Sequence, residues 1–270
     1  MKFSNNKSIL EELSLNSIPA AIEDNIYNFF IKIGKKAKRI VHIESNIKWI
    51  IALPSIWPNY LFDARFEITD IEENLRDIIR QIKRGDAPAQ WFIGPRSNSV
   101  DFIKILSKYG FSMVVQWPGM AVELLKMNTD FSNPPNLSIE VIKGEDSLSE
   151  WVKVVRTAMF GNGFMGIDLF KNLLTDTDFN FYLAFLNEKP VATSLSFFSS
   201  GIVGLYLIST LPVYRNRGIG KMITLAPLFD AKKIGYKIGG LFATQLGERI
   251  YRRIGFKEVC NFDIYFYGYF

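Results

Sequence analysis

The chain has 270 residues, 48% of them apolar and 14% aromatic, enough to bury a substantial core and too apolar for a disordered protein. Its 32 basic residues outnumber its 27 acidic ones for a net charge of +5. That charge is spread without long single-sign blocks, which makes no case for nucleic acid and suits a small anionic ligand. A single cysteine rules out an intramolecular disulfide, and one cysteine with one histidine gives no basis for a conventional zinc site, so no metal is expected. The N-terminus lacks an apolar signal core and no run of about 18 apolar residues occurs, so a soluble, cytoplasmic protein with no membrane partner is expected.

In chain order, Ser8–Leu15 and Ile18–Ile33 carry helical spacing, the second ending at Gly34. Arg39–Ile43, Ile47–Leu53 and Tyr60–Phe66 read as strands. Ile71–Ile82 is an amphipathic helix stopped at Gly85, Gln90–Ile93 a short strand, and Val100–Leu106 a helix that ends at Gly110. Phe111–Val115 and Met120–Leu125 read as two strands separated by a turn at Trp117-Pro118-Gly119. The polar stretch from Met127 to Asn136, with Pro134-Pro135 barring regular structure, is the clearest linker. It divides the chain into 1–127, a linker at 128–136, and 137–270.

Beyond it, Leu137–Ile142 is a strand and Ser147–Phe160 a helix broken at Gly161-Asn-Gly163, with helical spacing resuming over Ile167–Leu174. Phe179–Leu186 and Val191–Phe198 form a hairpin, and Val203–Ile208 is a buried strand. A glycine turn then leads into a helix to Ile234, in which Pro227 predicts a kink or an early end. Gly240–Thr244 is a strand, Leu246–Ile254 a helix, and Gly255-Phe256 opens a final extended segment. Lys108-Tyr-Gly-Phe111 and Arg253-Ile-Gly-Phe256 end the two halves alike, with their glycines 145 residues apart, which points to a duplicated domain.

The chemistry concentrates in Leu207–Ile223, where a strand passes through a glycine turn into a helix. That arrangement aims several free N–H groups at one spot, and the helix dipole favours an anion there. Gly218 and Gly220 let the backbone approach a bulky phosphate, and Arg215 and Arg217 add charge. The run is neither a P-loop, because Met222 follows Gly220-Lys221, nor Gly-x-Gly-x-x-Gly, because position 223 is Ile. It resembles the Arg-x-x-Gly-x-Gly signature of the GNAT superfamily of acetyl-CoA-dependent N-acetyltransferases, here Arg215, Gly218 and Gly220. Ile250-Tyr-Arg-Arg-Ile-Gly-Phe256 resembles the later helix of that family, which carries a tyrosine before Gly-Phe.

The resemblance covers roughly 137–270 and implies a mixed α/β (α+β) fold: two GNAT-like domains, each a mixed, mostly antiparallel sheet flanked by helices, the first degenerate. It implies that acetyl-CoA binds the second half. The pyrophosphate would rest on the backbone of Arg215, Asn216, Arg217, Gly218, Ile219, Gly220 and Lys221, and the pantetheine arm on the strand edge at Ile208, Ser209 and Thr210. Tyr251 would protonate the departing thiolate. Asn162 and Phe164, in the loop that flanks the acceptor in relatives, would face the amine, a small molecule or a peptide. The same 145-residue offset places Leu106 opposite Tyr251, and Ile68–Leu75, with Asp70, Glu72 and Glu73 and no glycine, opposite the signature turn. Carboxylates there satisfy the helix end and repel a pyrophosphate.

From the residues alone, Tyr251 could be a packed helix tyrosine and Arg217 a solvated turn arginine. Cys260 reads as a small buried hydrophobe and His42 as a strand residue. Trp49, Trp57, Trp91 and Trp117 read as core of the first half, one or two of them free to wall an acceptor cleft. No general base stands out. A non-catalytic acyl-CoA-binding protein with a partner-docking first half is the alternative.

Overall fold

The computed structural model describes residue 9 and residues 17–97, 99–161 and 163–268. The helix expected over Ser8–Leu15 falls outside them apart from Ile9. Helix α1 (Ser17–Lys36) leads into strands β1 (Ile40–Ile43), β2 (Lys48–Ile51) and β3 (Asn59–Phe62), then α2 (Ile71–Arg84), β4 (Gln90–Ile93), α3 (Val100–Lys108) and β5 (Phe111–Glu123). After the linker come β6 (Leu137–Val141), α4 (Glu145–Val155), β7 (Phe179–Leu186), β8 (Lys189–Ser199), β9 (Ile202–Thr210), α5 (Ile219–Lys233), β10 (Ile238–Phe242), α6 (Gln245–Ile254) and β11 (Lys257–Tyr267). The fold is mixed α/β, with one large, mostly antiparallel sheet flanked by helices.

The eleven strands of the described residues form that single sheet, in the order β1-β2-β3-β4-β11-β5-β10-β9-β8-β7-β6. Two pairs are parallel, β3 with β4 and β9 with β10, one in each half. The final strands of the two halves are exchanged. β11, last in sequence, lies between β4 and β5, while β5, from before the linker, lies between β11 and β10. The strand order is therefore symmetric about the β11–β5 pair for four strands on either side, with β6 added at one edge.

Alternation along the strands sorts the side chains to two faces. In β4, Phe92 packs in the cluster that holds α1 and α4, whereas Trp91 and Ile93 pack with α2 and α3. In β9, Ile202 and Tyr206 join the first of these, and Val203 and Leu205 pack beneath α5 and α6. Helix α1 reaches across the halves. The Tyr206 hydroxyl donates to Asn25 Oδ1 at 2.6 Å, Asn25 Nδ2 donates to the Ser199 carbonyl at 2.8 Å, and the Phe29 ring stacks on Tyr206 at 3.9 Å.

Several expectations are corrected. Trp117-Pro118-Gly119 is no turn, because β5 runs unbroken through it. Proline leaves a gap in the ladder rather than a break: a β-bulge between Glu258 and Cys260 lies opposite, and the Pro118 carbonyl still accepts the Ala243 N–H at 2.9 Å. Pro227 does not end α5, which continues to Lys233 because Ile223, Leu225, Leu228 and Ala231 bury the helix on both sides of it. The helix expected over Ser147–Phe160 is α4 followed by a π-helical turn, Arg156–Phe160, and Ile167–Leu174 is two short 3-10 turns.

Because each half lends its last strand to the other's neighbourhood, unfolding is expected as one transition. Trp49, Trp57, Trp91 and Trp117 lie before the linker and Trp151 after it, so a Trp151→Phe variant isolates the fluorescence of the first half. Its denaturant midpoint should coincide with that of whole-chain circular dichroism, and two separated midpoints would contradict the shared sheet.

Candidate active site

The site begins where β9 leaves β10. The two strands pair only at Val203↔Gly239 and Gly204↔Gly240, while the far side of β10 pairs with β5 from Ile238↔Glu123 to Phe242↔Gly119. On its other side β9 carries a bulge, its register with β8 shifting between Thr193↔Ser209 and Leu195↔Tyr206. Leu207 takes the left-handed conformation there, with φ 49°. The Thr193 hydroxyl donates to the Leu207 carbonyl at 3.0 Å and lies 2.7 Å from the Ser209 hydroxyl, which fixes the bulge. The ends of β9 and β10 therefore part, and a crevice opens beyond the carboxyl ends of two parallel strands.

One wall is the glycine turn. After a 3-10 turn at Pro212–Tyr214, Asn216 has φ 62° and Gly218 φ 81°, two left-handed residues within three. Gly218 caps α5 with no side-chain hydrogen bond. The helical ladder begins with the Lys221 and Met222 N–H groups returning to the Gly218 carbonyl at 3.2 and 3.3 Å. Among the described residues, the N–H groups of Asn216 to Gly220 have no backbone acceptor. They stand at the positive end of a 15-residue helix.

The opposite wall is α6, begun at Thr244, whose carbonyl accepts from Gly247 and Glu248, and closed by Gly255 with φ 110°. A Cβ on Gly220 would lie 3.2 Å from Ile250 Cδ1, so the start of α5 touches α6 closely. Tyr251 is buried on the cleft side of α6, and burial pushes its phenol well above the usual value. The phenol stays protonated at neutral pH and can donate.

These walls enclose a cavity of about 420 Å³. It is lined by Ile208, Ser209 and Thr210 of β9, Arg215, Asn216, Gly220 and Thr224, and by Thr244, Leu246, Gly247, Ile250 and Tyr251, with Ala158 and Met159 of the π-helical turn at the side. Arg215 and Tyr251 are the only ionisable groups among these residues; among the described residues, neither a carboxylate nor the histidine lines the cavity.

Arg215 spends its guanidinium on the frame of the cleft, with Nε on the Thr210 carbonyl at 3.1 Å and Nη2 on the Ala158 carbonyl at 3.2 Å; its N–H goes to the Pro212 carbonyl. It ties the end of β9 to the π-helical turn, an irregularity often found at functional sites. Arg217, Gly218, Ile219 and Lys221 line a separate hollow of about 550 Å³, with linker residues 132–135. There the Arg217 guanidinium lies 5.5 Å from the Tyr214 ring and the Lys221 ammonium 3.4 Å over Phe131. The ten residues expected to hold a pyrophosphate and pantetheine thus divide between two hollows.

Phe164 does not line the cavity. It is half exposed, and its carbonyl accepts the Ile56 N–H at 2.8 Å. Asn162 lies outside the described residues. Sequence reasoning missed Ala158, Met159, Thr224, Thr244, Leu246, Gly247 and Ile250; of these only Gly247, a glycine inside a helix, carried a signal. Burial pushes the Cys260 thiol up to about 12, so it is no nucleophile. His42 stacks on Trp49 at 3.4 Å in the β1–β2 hairpin, away from the cleft. Trp49, Trp57 and Trp91 are core, and half-buried Trp117 stacks on Phe242 at 5.2 Å. Among the described residues, no cluster of His, Cys, Asp or Glu could hold a metal, and no helix is long and apolar enough to cross a membrane.

The fold as a whole has counterparts among solved structures. The fold is that of the GCN5-related N-acetyltransferases. A GCN5-related N-acetyltransferase from Kribbella flavida superimposes with a TM-score of 0.71 at 16% identity, over 92% of this chain and 96% of its own. One from Sphaerobacter thermophilus gives 0.62 at 15% identity over 92% of each chain. A GCN5-related glucosamine N-acetyltransferase region of a fungal multi-domain β-N-acetylglucosaminidase gives 0.58 at 14% identity, over 93% of this chain and 36% of that one. No protein-family model and no curated protein sequence matches the chain.

Replacing Arg215 with Leu removes two partly solvated hydrogen bonds to carbonyls, a loss of about 1 kcal/mol. For a chain of this size the melting temperature should fall by about 2–4 °C without any ligand present. An unchanged melting temperature would mean that Arg215 does not brace the cleft.

Proposed function

We propose that the protein is an acetyl-CoA-dependent N-acetyltransferase that moves an acetyl group to a primary amine by direct attack in a ternary complex. We further infer that it consists of two GNAT-like halves, of which only the second holds the coenzyme. The reading is carried by one observation: a strand edge, an uncapped helix N-terminus and a protonated phenol share a single cavity that, among the described residues, no carboxylate lines.

Each wall has a part to play. The cleft-side edge of β9 at Ile208 to Thr210, unpaired with β10, offers peptide groups to the amides of the pantetheine arm, as an added strand would use them. The unbonded N–H groups from Asn216 to Gly220, with the α5 dipole behind them, suit the pyrophosphate. The thioester would supply an activated acetyl carbon and a sulfur that must leave. Tyr251 gives its phenolic proton to that sulfur as the carbon–sulfur bond breaks and regains one from solvent once the thiol has left, while the proton shed by the attacking nitrogen goes to solvent. A placed general acid of this kind is worth roughly 10²- to 10⁴-fold in rate. With no carboxylate or histidine lining the cavity, water removes the proton from the acceptor ammonium before attack. The acceptor is a small-molecule or peptide amine.

The first half differs where it matters. At the 145-residue offset, Asp70 stands at the N-cap position of α2 without a side-chain hydrogen bond to the helix, contrary to the expected capping, and Glu72 is hydrogen-bonded to Lys108 and Tyr109, each at 2.8 Å, and to Arg76 at 3.0 Å. Carboxylates and their partners occupy the helix start that a phosphate would need, and Leu106 stands where Tyr251 does in the second half.

Acetyl-CoA at about 100 times its dissociation constant should stabilise the protein by about 2.7 kcal/mol, which means several degrees in melting temperature. Gly220→Glu fills the floor of the cavity and should abolish the shift. If neither protein shifts, the coenzyme reading fails. Tyr251→Phe should lower turnover by roughly 10²-fold or more with acetyl-CoA affinity nearly unchanged. Since burial raises the phenol pKa, the donor is lost only as pH climbs through that raised value. Wild-type turnover should therefore rise as the acceptor amine deprotonates, with no decline from this group below pH 10, the ordinary tyrosine value. A decline near neutral pH would assign the proton to another group.

A further inference from the structure

β5 outruns the strand beside it. Against β11 it is paired from Phe111↔Tyr267 to Ala121↔Lys257, but β10 meets it only from Phe242↔Gly119 to Ile238↔Glu123. The last bond on the β10 side is the Ala243 N–H on the Pro118 carbonyl at 2.9 Å. The chain then leaves at Thr244 for α6, and among the described residues no strand lies beside residues 111–117 on that side.

Backbone groups of a strand face its two neighbours alternately, residue by residue. The Pro118 carbonyl faces β10, and the pairing with β11 is regular from Pro118 back to Val115, so the N–H and carbonyl of Gln116 face the same way. Among the described residues they meet no backbone partner there. The Gln116 side chain is engaged elsewhere, donating to Asp263 Oδ1 at 2.8 Å. Sheet proteins blunt open edges with charge or cover them. This one has neither: Ser112, Met113, Val114 and Gln116 are exposed and none is charged.

The open edge leads to the cavity. Thr244 lines the cavity and directly follows Ala243, the last residue bonded to β5. A strand laid antiparallel on β5 from Gln116 outward would continue the line of β10. Its N-terminal end, and not its C-terminal end, would then point past Thr244 into the cleft. Its residue opposite Val115 would fall on the face where Val115 packs and the half-buried Trp117 ring stacks on Phe242.

We propose that the acceptor is the N-terminal α-amine of a peptide, bound as an added strand on the open edge of β5 with one residue paired to Gln116 and an apolar residue after it. The proposal rests on the acetyltransferase reading and narrows its acceptor. The amine gives two protons to water, one before attack and one after, and forms the bond to the acetyl carbon. The carbon–sulfur bond breaks, and the sulfur leaves as a thiol with the Tyr251 proton.

The test measures release of free CoA thiol from acetyl-CoA by wild type with a degenerate hexapeptide library, single amino-acid amides and diamines. Peptides with free N-termini should exceed amino-acid amides at least about 100-fold in kcat/KM, and mass spectrometry should place the acetyl group on the α-nitrogen. On the best peptide, replacing backbone N–H by N-methyl one position at a time should raise KM about tenfold where the N–H faces β5, the loss of one hydrogen bond. The positions on either side should stay within about twofold. Gln116→Pro removes the matching donor on β5 and should raise the peptide KM about tenfold with acetyl-CoA affinity unchanged. The N-methyl series decides the matter even if that variant does not fold. Equal use of peptides and amino-acid amides, acetylation of lysine side chains alone, or indifference to N-methylation at every position would overturn the proposal and leave an acetyltransferase of another acceptor. Binding of acetyl-CoA with no thiol release with any amine would remove the acetyltransferase reading, and this proposal with it.

Discussion

The structure depends on the exchange of its last strands. The antiparallel pair of β5 and β11, running from Phe111↔Tyr267 to Ala121↔Lys257, stands at the centre of the sheet, and neither strand has its own half on both sides. β10 is held by β5 over most of its length and by β9 at only two residue pairs. A strand secured on one side can part from its neighbour on the other without losing its place, and the cleft opens there. The opening is therefore a property of the whole sheet. A second-half sheet without β5 would leave β10 with an exposed edge and two pairs to hold it. Helix α1 reinforces the arrangement by burying Asn25 between the Tyr206 hydroxyl and the Ser199 carbonyl, a polar bridge from the start of one half to the middle of the other.

Within the cleft, charge is managed by omission. Among the described residues the lining holds one cation, Arg215, and that is turned onto two carbonyl oxygens of the frame. The positive potential available to a ligand then comes from backbone N–H groups at the start of α5, which need no side-chain ordering to act. Opposite them sits a phenol that burial keeps protonated. At the start of α2, by contrast, the exposed Glu72 is hydrogen-bonded to Lys108, Tyr109 and Arg76.

The parts legible in the sequence were those that local chemistry dictates. Gly218 and Gly220 announced a turn that backbone must approach closely, and Gly110 and Gly255 marked the ends of helices in both halves with left-handed φ values of 88° and 110°. What escaped is decided by partners distant in sequence. Pro118-Gly119 has the composition of a turn, but the bulge opposite and the Ala243 N–H carry the strand through it. The strand exchange is invisible because β5 and β11 follow the same Gly-Phe and would read alike whichever half they joined. The division of the turn into two hollows could not be read either, because Arg217 and Lys221 differ from Arg215 and Gly220 only in where the tertiary structure faces them.

The proposal that joins these observations is that the start of α5 holds a coenzyme while the start of α2 does not. Amide hydrogen exchange with and without acetyl-CoA addresses it at peptide resolution. The account predicts slowed exchange across Asn216 to Gly220 and along the Ile208–Thr210 edge, with Ile68–Leu75 unchanged. Protection centred on the first half, or none at the turn while acetyl-CoA demonstrably binds, would contradict it.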